Sequence, residues 1–134
     1  MDVLKNVWGC KRVVVDATGV GAGVASFLSE ALGRSVVTSF LFTAASKSKL
    51  GFGLLAAINS GRVKMYAQDG SQECSEFWFQ LERARSFFRP SQTMNFYVDP
   101  AEGHDDFLMS LALLVEAGEY KPRGARGHLK EGRL

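Results

Sequence analysis

Cysteine is scarce: Cys10 and Cys74 are the only two in 134 residues, and they stand in no Cys-x-x-Cys pattern. Their separation argues against a disulfide framework and a thiolate zinc site, and fits idle thiols in a reducing cytosol. Long apolar runs are missing as well. No stretch approaches the roughly eighteen residues of a membrane-spanning helix, and the N-terminus has no basic-then-apolar leader. The net charge of +2 is too small by itself to mark a nucleic-acid binder. Its distribution says more. Residues 119–134 carry Lys121, Arg123, Arg126, Lys130 and Arg133 against Glu119 and Glu131, a local +3, so the rest of the chain sums to −1.

What the chain does have is core-forming material. It is 46% hydrophobic with ten Phe, which argues for one globular domain and against disorder along its length. Residues 12–16 (RVVVD) form a β-branched run without alternation, the pattern of a strand buried on both faces of a parallel sheet. A Gly-rich turn over residues 18–23 follows, then a helix over residues 24–32 that stops at Gly33, and a strand over 35–42. A second helix is expected over residues 47–59, starting near Ser46, with Leu50, Leu54, Ala57 and Ile58 on one face. Alternation over residues 62–66 (RVKMY) predicts an edge or half-exposed strand. Residues 73–87, with Phe77, Trp78, Leu81 and Ala84, predict an amphipathic helix broken by Arg89-Pro90-Ser91. A short strand over residues 95–98 and an apolar helix over 106–117, ended by Gly118, complete the pattern. Beyond it, residues 119–134 read as a basic, flexible tail. Strands alternating with helices place the fold in the α/β class.

Two acidic positions are candidates for chemistry. Asp16 ends the first strand, and the carboxyl ends of parallel strands are where ligands bind. Asp105 and Asp106 stand at the start of the last helix, behind Gly103-His104. Carboxylates brought together from these two places would suit Mg²⁺ or Mn²⁺, and a two-metal site can hydrolyse a phosphodiester. Each residue also has a plainer reading. An Asp at a helix start commonly caps it, and Asp16 could hydrogen-bond the backbone of Thr18 in a turn. His104 reads as a loop residue or as a partner behind the carboxylates. Lys47 and Lys49 could meet phosphate from a helix start or simply be solvated. Arg123 and Arg126 could contact DNA or only aid solubility. The turn Gly19-Val20-Gly21-Ala22-Gly23 is neither Gly-x-Gly-x-x-Gly nor a P-loop. Close packing beside Asp16 competes with nucleotide binding as its role.

Four segments, taken in order, resemble the C-terminal nuclease domain of phage terminase large subunits. They are residues 13–21 (VVVDATGVG), 47–66 (KSKLGFGLLAAINSGRVKMY), 77–83 with its Gln-Leu pair, and 103–113 (GHDDFLMSLAL). The resemblance spans residues 12–118. It implies an RNase H-like fold, two divalent metal ions (Mg²⁺ or Mn²⁺), and endonucleolytic cutting of double-stranded DNA during packaging. It makes Asp16 and Asp106 metal ligands, with Asp105 as helper or alternative and His104 and Thr18 close behind. It also implies the cytoplasm of a bacterial host, with portal or other packaging proteins as partners and no membrane. The family's domain opens with a strand bearing a first catalytic Asp, then two antiparallel strands and a helix, and Met1–Lys11 does not match them. Asp2 sits in no strand-like context. The expectation is therefore a truncated domain over residues 1–118, impaired in cleavage, with an unpaired sheet edge open to self-association. The rival is a non-catalytic remnant that binds DNA or a packaging partner.

Overall fold

The β-branched run forms strand β1 (Val13–Asp16), which pairs in parallel with β2 (Val37–Phe40). The register sets Val13 opposite Val37 and Asp16 opposite Phe40. Helix α1 (Gly21–Leu32) makes the crossover that a parallel pair requires. The computed structural model describes residues 1–119, and a one-turn π-helix over Val3–Val7 that buries no residue leads into β1.

β1 is only half-buried, and Asp16 at its end is exposed. The expectation of a fully covered strand fails because, among the described residues, β2 is its one strand neighbour. α1 begins three residues earlier than its apolar periodicity suggests. A Cβ on Gly21 would run into the carbonyl oxygen of Asp16, so glycine lets the helix start tight against the strand end.

Helix α2 (Ala44–Asn59) starts at a reciprocal cap. Thr43 Oγ1 accepts from the Ser46 amide at 3.1 Å, and Ser46 Oγ accepts from the Thr43 amide at 2.8 Å. It lies directly on strand β4 (Met94–Tyr97). A Cβ on Gly51 would come within 2.7 Å of the Phe96 ring. Beside it the buried Ser48 hydroxyl accepts a hydrogen bond from the Met94 amide at 2.9 Å.

Two expectations need correction here. Helix α3 (Gln72–Arg83) does not run to residue 87: the chain leaves it at Ala84 (ψ 130°), and Arg85–Phe88 becomes β3, antiparallel to β4. All four β3 residues are exposed, so pairing, and not a buried face, makes the strand. The hairpin closes with Gln92 donating to the Arg89 carbonyl at 2.9 Å and Arg89 donating to Thr93 at 2.8 Å, with Gln92 at φ +62°. Residues 62–66 form no strand, since the two ladders among the described residues are β1–β2 and β3–β4.

Helix α4 (Asp106–Gly118) sits between the parts, packing on α2, α3 and β1. Its Leu108, Leu111, Ala112 and Leu113 join Leu50, Leu54, Phe96 and Val98 in the core. Each large side chain buried there stabilises by roughly 1.5–3 kcal/mol. The result is a mixed α/β arrangement of two small sheets flanked by helices. No helix among the described residues is long and apolar enough to cross a membrane.

Candidate functional site

Asp16, Asp105 and Asp106 line one cleft of about 420 Å³, together with Thr18, Phe42, Lys47, Met109, Ser110 and Leu113. The end of β1 and the start of α4, far apart in sequence, thus face one solvent space. The reason is local at each side. Strand β1 stops at Asp16, whose Oδ1 accepts from the Thr18 amide at 2.8 Å, so the chain turns at once. Thr18 Oγ1 then accepts from the Phe42 amide at 3.0 Å, tying this turn to the segment after β2.

The α4 side answers whether its acids merely cap the helix. Asp105 occupies the N-cap position, yet its side chain makes no capping hydrogen bond. Gln80 of α3 does that work. Its amide oxygen accepts from Phe107 N–H at 2.8 Å and Leu108 N–H at 3.2 Å, while its nitrogen donates to Glu76 at 2.9 Å. Gln80 is 1% exposed, so these bonds are made away from water, where an orphaned donor would cost most. Both carboxylates at the helix start are left to other uses.

Lys47 is the cation of the cleft. Burial holds its ammonium below the ordinary lysine range; neighbouring Asp105 opposes that shift, and Arg89 adds to it. Lys47 Nζ lies 5.5 Å from the centroid of the Phe96 ring, and Asp105 is the carboxylate that acts on it; an ammonium so placed can hold a phosphate as a point charge. Among the described residues, no three of the His, Cys, Asp and Glu side chains come together to hold a metal ion. The donor chemistry suits a hard cation, but the donors do not converge on one point.

The remaining candidates are scattered. His104 and Lys49 are exposed and do not line the cleft. Arg123 and Arg126, with the rest of the basic tail, lie outside the described residues. The Gly-rich turn does a packing job, with Gly21 pressed on Asp16. The residue missed in sequence is Gln80. Its signal is a polar side chain three residues beyond Phe77 and six beyond Cys74, on the stripe that α3 turns inward. Compared with protein-family models, curated proteins and solved structures, the chain matches none.

Proposed function

We propose that the chain is a partial nuclease domain of the terminase type, RNase H-like in plan and impaired in cleavage when alone. One observation carries this reading: Asp16, at the carboxyl end of a parallel strand, shares a cleft with Asp105 and Asp106 at a helix start that Gln80 already caps. Asp16 also holds its turn through the Thr18 amide, whereas Asp105 makes no capping bond; acids at a strand end and at a helix start are the arrangement expected of phosphodiester chemistry. Double-stranded DNA is the substrate on this reading, with Lys47 receiving a backbone phosphate. Portal or other packaging proteins are the partners, in the cytoplasm of a bacterial host. Mg²⁺ or Mn²⁺ would supply an activated water once bound. Asp16, Asp105 and Asp106 are the carboxylates this reading assigns to it, and they would have to draw together to hold it.

The three carboxylates do not converge. That favours a second reading, a non-catalytic remnant that binds DNA or a packaging partner. Mn²⁺ titration by calorimetry, paired with plasmid nicking, separates the two. The proposal expects Mn²⁺ binding that Asp16→Asn removes, with nicking slow or undetectable. Binding equal in wild type and Asp16→Asn would sink the metal site and leave the remnant. Vigorous Mn²⁺-dependent nicking, abolished by Asp16→Asn, would instead show that the isolated chain is a competent nuclease.

A further inference from the structure

A second and larger hollow, of about 650 Å³, lies between α4 and residues 62–66. Its size falls within the range of roughly 300–1,000 Å³ usual for small-ligand sites. Val63, Met65, Phe77, Phe107 and Leu114 make its walls apolar. The rings of Phe77 and Phe107 meet edge to face, with centroids 6.4 Å apart. Leu114 is 67% exposed, so part of this apolar surface stands open to solvent. Exposed Arg62 and Lys64 bring positive charge to its edge. Arg62 pairs with Glu119 at 3.2 Å, whereas Lys64 makes no ion pair among the described residues.

Ser110 lines both this hollow and the acidic cleft. It is exposed, with Asp106 of the cleft one turn before it and Leu114 of the hollow one turn after it. Each of those steps rises about 6 Å along the helix. A small side chain on the crest of α4 thus leaves a saddle between the two spaces. We propose that a nucleic-acid strand held by a phosphate at Lys47 crosses this saddle and places one unpaired base in the apolar hollow.

This deepens the nuclease reading and rests on it. A nucleotide joins an anion to a flat apolar ring, the two chemistries that the cleft and the hollow offer side by side. Every base has a π-face for aromatic walls, and the next phosphate along the strand meets Lys64. A purely apolar ligand would make no use of that ammonium. A base paired inside a duplex cannot reach such a hollow without being turned out of the stack. The strand bound here is therefore single, or opened from the duplex at this point, and a continuous duplex is the poorer ligand.

The test is fluorescence anisotropy on the 134-residue chain, in EDTA so that no strand is cut. The probes are a short labelled oligothymidylate and a duplex of equal length. At one salt concentration the single strand should bind about tenfold tighter than the duplex. Leu114→Gln, which adds no charge, should weaken the single strand by about fivefold and leave the duplex within about twofold. Lys64→Gln should weaken the single strand and lower its salt slope by about 0.7. Both side chains are exposed, and circular dichroism confirms that each variant is folded. A duplex bound as tightly as the single strand, no binding of either probe, or a Leu114→Gln chain as good as wild type would each overturn the base site. No divalent ion enters this measurement, so its failure and the failure of the Mn²⁺ titration are told apart.

Discussion

The two small sheets of this molecule are built by opposite means. β3–β4 is local: a short loop with Gln92 at positive φ joins neighbouring strands, and β4 drives Met94 and Phe96 into the core. β1–β2 is not local: a twelve-residue helix separates its strands, and no residue of β1 is fully buried. The hairpin strand β4 is an organ of stability, pressed on α2 through Gly51 and Ser48. The parallel pair instead presents Asp16 to the cleft. In this fold the sheet that contributes most to the core reaches the cleft only through the Phe96 ring beneath Lys47, and the sheet that presents Asp16 is lightly held.

Mutations can break that contrast or sharpen it. Phe96→Ala should cost about 3–5 kcal/mol, against about 1 kcal/mol for Val14→Ala in β1, both measured by urea unfolding. Equal costs would end the distinction between the sheets. Gln80→Leu tests the bridge between the halves. It removes the cap that α3 lends to α4, and about 2–3 kcal/mol should be lost as two buried N–H groups go unpaired. A conformational gain at the hairpin loop should be smaller. Gln92→Gly relieves a positive φ and should raise stability by about 0.5 kcal/mol after the entropy cost of glycine.

The last prediction concerns pH and the cleft. Burial lowers the Lys47 pKa in the folded chain, so the unfolded chain holds that proton to higher pH. Stability from this group is therefore lowest where Lys47 is charged in both states. It should rise as pH climbs through the lowered folded value toward the ordinary lysine value. Lys47→Met should erase that rise in a melting series at alkaline pH. An unchanged slope would mean that the ammonium is not desolvated.

Much of the arrangement is legible from the residues, for reasons that also explain the failures. Residues 106–117 announce themselves because burial imposes a pattern on them, and residues 13–16 because a β-branched run favours a strand even where, as here, it is only half-buried. β3 does not, since Arg85, Ser86, Phe87 and Phe88 are all exposed and only backbone pairing with β4 makes them a strand. Residues 62–66 mislead in the opposite sense. Val63 and Met65 are half-buried against the core while Arg62, Lys64 and Tyr66 are exposed. Alternation there reports one-sided contact without a ladder. At the cleft, the position of Asp16 at a strand end could be read from the sequence, whereas the start of α4 facing the same space could not, because no local pattern fixes where a later helix packs. The cap supplied by Gln80 could not either, because its partners lie 27 and 28 residues away, and local spacing carries no trace of such a bond.

The division of labour at the head of α4 has an evolutionary side. A helix whose first turn is secured by a neighbour's amide should tolerate drift in its own leading acids, so exchanging Asp105 or Asp106 for asparagine should leave the chain folded. On the nuclease reading, exchanging these acids would end cleavage while the scaffold persists unchanged. Natural variants of this chain should then divide by whether they keep the acids, and share Gln80 in both groups.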